Sequence, residues 1–374
     1  MNKKIFSLII LTLISAVLIS GCTTNSAASA SSWPGMMLDN QTGYLAYGTQ
    51  VYALDVKNGS LLWKYPAEGS SKSQFYAAPE VSDSLVIVGD YTNTLYALDK
   101  ENGFEKWQFT DAEDRYIASS LLNNGIVYAP NTDSYLYALD DNGNLLWRFK
   151  ANGPNWSKPL ADENHLYLTS MDHFLYVLNL NYSEAELAAD KDGGKTLVSE
   201  PVWSLDLGTA VVSNPVLEDG ILYVGTVDGI VYAVDLEKQS VVWKYTVEDE
   251  MASIWGTPVL TSDAVFFGDE NGNLYAVDKK DGSALWPSPF ETGASLISSG
   301  ITVDDKAVFA ASDGKIFSID SSKEPKTLTT LDAVIYSPLG FEDGKIVVVP
   351  ASSEALVKAI DTNGNEVWTY LPTK

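Results

Sequence analysis

The chain has 374 residues, 45% of them apolar, 11% aromatic and 20% charged, a balance that supplies a large core and argues against disorder. Lys and Arg number 24 against 49 Asp and Glu, a formal net charge of -25, so the surface repels phosphate backbones and nucleic-acid binding is not expected. One Cys and two His leave no internal disulfide, no Cys-based metal cage and no multi-His zinc site.

At the N-terminus, Asn2-Lys3-Lys4 precedes an apolar run from Ile5 to Ser20, and Gly21-Cys22 leads into the small polar stretch Thr23 to Ser32. The run is shorter than the ~20 residues a spanning helix needs and has the charged and apolar parts of an export signal. Leu18-Ile19-Ser20-Gly21-Cys22 resembles a bacterial lipobox, and the resemblance implies cleavage before Cys22 and diacylation of its sulfur. Residues 1–21 are then a signal peptide and 22–32 a flexible tether from the lipidated cysteine. Acyl chains, worth ~0.8 kcal/mol per buried CH2, hold such a domain at the cell membrane or outer membrane, facing the periplasm or exterior. Thr23 rather than Asp follows the cysteine, which in a double-membraned cell permits transfer to the outer membrane.

Residues 33–374 carry one pattern eight times. It reads Val51-Tyr-Ala-Leu-Asp55, Leu95-Tyr-Ala-Leu-Asp99, Leu136-Tyr-Ala-Leu-Asp140, Leu175-Tyr-Val-Leu-Asn179, Val231-Tyr-Ala-Val-Asp235, Leu274-Tyr-Ala-Val-Asp278, Ile316-Phe-Ser-Ile-Asp320 and Val357-Lys-Ala-Ile-Asp361. The last positions are 44, 41, 39, 56, 43, 42 and 41 residues apart, and the long interval marks an insertion at 181–200. A Trp trails most copies: Trp63, Trp107, Trp147, Trp203, Trp243, Trp286 and Trp368, with Trp203 delayed by the insertion and the seventh copy offering Leu328. Two further apolar runs precede each copy, as in Ala78-Pro79-Glu80-Val81 and Leu85 to Gly89 before Leu95 to Asp99. Short runs rich in Val, Ile, Tyr and Trp between Gly, Asn and Asp turns predict four antiparallel strands per unit.

Eight such units predict an all-β, eight-bladed β-propeller of four-stranded antiparallel blades. Each trailing indole is then a blade-docking ring, wide enough to pack between adjacent blades while its N–H meets a neighbouring carbonyl. The acid closing each copy caps a hairpin loop whose Gly takes the positive φ, a turn role and not a metal-binding one. Blade one (Trp33 to Ala67) and blade eight (Val334 to Leu371) each contain four runs, so the ring is expected to close by packing rather than by a shared strand.

The unit Leu-Tyr-Ala-Leu-Asp, then Gly, then Trp resembles the pyrroloquinoline-quinone (PQQ) repeat of eight-bladed propellers, and the resemblance spans residues 33–374. With the lipobox, the chain is similar to the propeller lipoproteins of the outer-membrane β-barrel assembly machinery. PQQ-dependent dehydrogenases, as a family, use an adjacent cysteine pair, a Ca2+ and a catalytic Asp. This chain has no cysteine pair and its loops are too short to roof a quinone, so PQQ is not expected as a cofactor. His165 and His173 fall in one blade and offer no triad.

In the loop entering the innermost strand, even blades carry Tyr76, Trp156 and Trp255, with Tyr336 one position off, where odd blades have Ile117, Val212 and Ile297. These aromatics are candidate partner-binding residues around the channel mouth. The segment Ser183 to Asp190 in the insertion has helix formers behind a Ser cap and predicts a short surface helix. The expected function is that of a monomeric, exported, lipid-anchored binding or scaffold module for an envelope protein or extracellular ligand, with neither catalytic nor metal site. By resemblance, that role lies in outer-membrane protein assembly. The alternatives are a small-molecule or glycan receptor and a quinone-dependent dehydrogenase.

Overall fold

Alternation of side chains along each strand decides how the chain folds. In blade one, Tyr44, Ala46, Val51 and Ala53 pack toward blade two, whereas Leu45, Tyr52 and Leu54 pack toward blade eight. A sheet apolar on both faces must be covered on both, and here the covering layers are its neighbours. The computed structural model describes residues 35–69, 73–191, 193–248, 252–351 and 353–372. The signal segment 1–21, Cys22 and the tether 22–32 lie outside them, as does Trp33.

The described chain forms eight blades of antiparallel strands around a central channel, each running from the innermost strand outward. Blade one is Gly35–Asp39, Thr42–Tyr47, Gln50–Asp55 and Leu61–Tyr65. Blade two is Glu80–Val81, Leu85–Gly89, Leu95–Asp99 and Glu105–Phe109. Later blades repeat the order to Gly340–Glu342, Lys345–Val348, Val357–Asp361 and Glu366–Tyr370 in blade eight. There is no common core. Eight separate apolar layers, one at each boundary between adjacent blades, hold the ring together.

The outermost strand carries a bulge in the same place in five blades, between the partners of Ala53 and Leu54, Ala97 and Leu98, Ala138 and Leu139, Ala233 and Val234, and Ala359 and Ile360. The extra residue, such as Leu62, turns outward, and the Trp after it lands opposite the small Ala of the repeat. The indole then reaches the next blade. Nε1 of Trp63 donates to Lys100 O (2.9 Å), Trp107 to Asp141 O (2.8 Å), Trp243 to Lys279 O (2.9 Å), Trp286 to Ser321 O (2.8 Å) and Trp368 to Val56 O (2.6 Å). Each acceptor is the residue after the repeat's final Asp.

The loop glycine completes the seat. Gly103 has φ +72°, and a Cβ there would lie 2.5 Å from Cε3 of Trp63. Gly59, Gly143 and Gly282 meet Trp368, Trp107 and Trp243 in the same way. The glycine is required twice, by its backbone angle and by the ring against its α-carbon.

Blades one and eight share no strand among the described residues, and the Trp368 bond with its apolar layer closes the ring. Three boundaries differ, the third being that between blades four and five, where the Trp203 indole reaches no carbonyl among the described residues. In blade seven the bulge shifts to Ile316/Phe317, and the backbone carbonyl of Leu328, not its side chain, occupies the place of an indole against Gly364. At Trp147, Nε1 is buried with no hydrogen-bond partner among the described residues, and Tyr182 from the insertion packs edge-on to its ring at 5.2 Å. Trp203, opposite Val177, packs into the layer between blades four and five.

The final Asp of seven copies accepts from its own loop; the fourth copy ends in Asn179. Oδ1 of Asp140 takes the N–H groups of Asn142 (2.9 Å) and Asn144 (2.8 Å), and Oδ2 takes Nδ2 of Asn144 (2.8 Å). Lys106 holds the Asp99 carboxyl below its ordinary value, as Lys238 does for Asp235, Lys306 for Asp320 and the Asn365 side chain for Asp361.

Two outcomes follow from this lock. Gly103→Ala pushes the indole off its seat and is expected to cost about 2–3 kcal/mol, while Trp63→Phe, which loses the hydrogen bond, costs about 1–2 kcal/mol; urea unfolding measures both. Carboxylates with depressed folded values add stability that is present above the unfolded value of 3.8 and lost as pH falls through the lower folded values. The urea midpoint should therefore stay level from about pH 7 to 5 and drop below about pH 4.

Candidate functional site

Antiparallel order puts the loops entering the innermost strands on the same face as the loops between second and third strands. The Asp-Gly hairpins lie on the other face. Tyr76, Trp156, Trp255 and Tyr336 converge on the first of these faces, where they line one cavity of about 150 Å3 together with Ile117, Val212 and Ile297. Tyr76 packs against Tyr91 with ring centroids 3.8 Å apart, and its hydroxyl donates to Oε1 of Gln74 (3.1 Å). Nε1 of Trp255 donates to Oε2 of Glu270 (3.4 Å). Nε1 of Trp156 is buried without a partner among the described residues, beside the fully buried Asn155, whose side-chain amide also lacks one.

A clamp that the sequence reading did not include sets the height of these side chains. The residue after the mouth position is a buried serine in four blades, and its hydroxyl donates to the backbone carbonyl 12 residues later. Ser157 reaches Thr169 O (2.9 Å), Ser213 reaches Gly225 O (2.9 Å), Ser298 reaches Ala310 O (3.0 Å) and Ser337 reaches Val349 O (2.5 Å). Ala77, Ala118 and Gly256 fill the same place in blades two, three and six. The clamp also corrects the register of blade eight. Ser337 puts Tyr336 level with Trp156, and it is Pro338 that lies one residue early. The signal was present as the recurrent Ser after Trp156, Val212, Ile297 and Tyr336, but a small polar residue beside Pro reads first as loop composition.

Below the mouth, Nζ of Lys158 meets Oε2 of Glu80 at 2.5 Å, joining blade four to blade two, and Oε1 of Glu80 accepts from Leu122 N of blade three (3.4 Å). Oδ1 of Asn214 accepts from Lys158 N (2.8 Å), and Oγ of Ser299 accepts from Thr257 N (3.0 Å). Polar bonds between blades therefore brace the wall under the aromatic ring. The ring itself is backed by folded structure, not by loose loops.

The insertion departs from expectation. Instead of a helix, Ser183 opens one capped turn, with its N–H (2.9 Å) and hydroxyl (2.5 Å) on Oε2 of Glu186. The chain then forms the strands Ala188–Ala189 and Lys195–Val198, and the second pairs in parallel with the outermost strand of blade three at Arg148 and Phe149. Helix propensity loses here because one turn is too short to propagate, while the open edge of blade three offers a full set of backbone partners. Arg148 forms a buried ion pair with Asp190 and lies 4.5 Å over the Tyr135 ring. Burial pushes the Asp190 carboxyl up, and the Lys191 N–H with Arg148 outweighs it and holds the carboxyl below its usual range. Blade four thus grips blade three by a strand where Trp147 has no carbonyl to reach. No helix of the described residues is long and apolar enough to cross a membrane, and no group of three or more His, Cys, Asp or Glu among them could hold a metal.

Repeat, blade count and channel define the class: this is an eight-bladed β-propeller of PQQ-like repeats. Residues 23–123, 115–186 and 188–370 match the family described as outer membrane protein assembly factor BamB, and the chain belongs to that family. It is 24% identical over 230 residues to the outer membrane protein assembly factor BamB of Moranella endobia, covering 60% of this chain and 56% of that one. It is 28% identical over 202 residues to the serine/threonine-protein kinase AfsK of Streptomyces griseus, covering 52% of this chain and 22% of the kinase. The chain therefore spans little over half of the first of these relatives and under a quarter of the second. The crystal structure of BamB from Moraxella catarrhalis superposes with a TM-score of 0.67 at 17% identity over 84% of this chain and 90% of that one, a likeness of fold.

The grip of the insertion is open to a direct check. Arg148→Met leaves Asp190 buried without its counter-charge and is expected to cost about 3–5 kcal/mol, whereas adding Asp190→Leu restores most of the loss; urea unfolding of the single and double variants reads the difference.

Proposed function

We propose that this propeller is a non-catalytic docking module of the cell envelope, held at a membrane through lipidated Cys22, and that it captures an envelope protein at the channel mouth. The observation that carries the reading is the convergence of Tyr76, Trp156, Trp255 and Tyr336 on one cavity whose supporting loops are clamped by Ser157 and Ser337. Aromatic rings held at a surface add contact area at little entropic cost, because their rotamers are already restricted. Size supports docking over enclosure. A cavity of about 150 Å3 accepts a protruding side chain but is below the roughly 300–1,000 Å3 of a pocket that surrounds a cofactor-sized ligand. Family membership supports an envelope role, and outer-membrane protein assembly is the role we assign.

In-cell photocrosslinking tests the reading. A benzoylphenylalanine at the exposed mouth position 338 should give one discrete protein adduct, and the same residue at position 101 on the opposite face should not. Trp156→Ala with Trp255→Ala should abolish the adduct while lowering the unfolding free energy by less than about 1 kcal/mol. Unchanged capture with lost stability would show that the two indoles serve packing alone.

A further inference from the structure

The two faces of the ring handle charge differently. On the hairpin face, cations stand among the acids: Lys106 meets Asp99 at 2.8 Å, Lys238 meets Asp235 at 2.5 Å and Lys306 meets Asp320 at 2.7 Å, while exposed acids such as Glu101, Asp141 and Asp219 make no ion pair among the described residues. On the mouth face cations are fewer. Glu68, Glu113, Asp228, Glu248, Asp313 and Asp332 are exposed carboxylates spread around its loops; the one exposed cation those loops carry among the described residues is Arg115, which meets Asp114 at 3.5 Å, and the exposed Lys150 ends the adjoining strand. Of the six acids, Glu113 has an ion-pair partner, Lys191 of the insertion. Lys158, within the channel, is neutralised by Glu80.

The rim also holds an example of what it can receive. The Arg115 guanidinium lies 5.6 Å over the Tyr91 ring, and Tyr91 packs against Tyr76 of the mouth. A planar cation on an aromatic face is attracted by the ring quadrupole, and the surrounding carboxylates add a field of the same sign preference.

Resting on the docking reading above, we infer that the partner presents a basic polypeptide segment, with an arginine side chain entering the cavity between Trp156 and Trp255 while flanking cations meet the acidic rim. Charge complementarity selects this occupant. The carboxylates are distributed around the whole face, a spacing that a chain with several cations satisfies and a single small cation does not. A guanidinium suits the mouth better than an ammonium because it is planar, weakly hydrated and stacks on rings.

The test uses the purified full chain and a blocked ten-residue Gly/Ser peptide carrying three arginines, with binding followed by calorimetry. The peptide is expected to bind at about 50 mM salt and to weaken at least tenfold at about 500 mM, as screened charges require. Replacing its arginines with citrulline, which keeps shape and removes charge, should cost at least tenfold. So should Trp156→Ala with Trp255→Ala, whereas Trp156→Phe with Trp255→Phe should keep most of the affinity and controls for folding. Asp313→Asn with Asp332→Asn should weaken binding less and flatten its salt dependence. Equal binding of the citrulline peptide, indifference to the indoles, or stronger binding of phosphatidylcholine vesicles would each overturn the inference. If the peptide fails while the crosslinked adduct still needs Trp156 and Trp255, the docking reading stands and only the cationic partner falls.

Discussion

Five of the eight blade boundaries are fixed by an indole N–H given to the backbone carbonyl of the next blade, over an apolar layer common to all eight. Every blade is a thin sheet, apolar on both sides, and none can be stable without two neighbours. The apolar layers supply most of the attraction, but such contacts are non-directional and would let blades slide. The hydrogen bond from Trp63 to Lys100 and its equivalents set the register of blade against blade, and under four of the five rings a glycine sets the distance. The same bond made by Trp368 to Val56 turns a stack into a closed ring. No shared strand is needed, because closure uses the contact already present at four other boundaries.

Fixing the blades at the outer edge has a consequence at the centre. The innermost strands are short, two residues in blades two, four and six, and could not by themselves hold a defined mouth. The buried serines and the braces of Glu80, Lys158 and Ser299 transfer the order of the second strands to the entering loops. Side chains at 156, 255 and 336 are thus held on a braced rim with the buried Tyr76 lining the same cavity, the support that the proposed docking surface needs and that an isolated loop does not provide. On the proposed reading, the acidic rim would extend the reach of that surface beyond contact distance, since an excess of one charge steers partners before they touch.

The departures from the repeat show where the lock can be replaced. Between blades three and four, a parallel strand, the Arg148–Asp190 pair and the Tyr182 ring stand in for an indole bond. Between blades seven and eight, the backbone at Leu328 fills the glycine seat. Both boundaries keep their apolar layer, so the layer is the constant and the polar lock is the variable part.

The sequence by itself determined the number of blades, their antiparallel strands, the indoles that enter the blade boundaries and the register of Tyr76, Trp156 and Trp255, because each is a local pattern repeated in phase and a repeat states its own register. It did not show the strand formed by Lys195–Val198, since a parallel partner 49 residues away leaves no mark in local propensity, or the Glu80–Lys158 pair, whose members are 78 residues apart. It also misplaced Tyr336 by trusting a proline over a serine. The pairing of a free edge with a distant segment, and the face on which each charge falls, depend on which groups the closed ring brings within a few ångströms, and only the tertiary structure decides that.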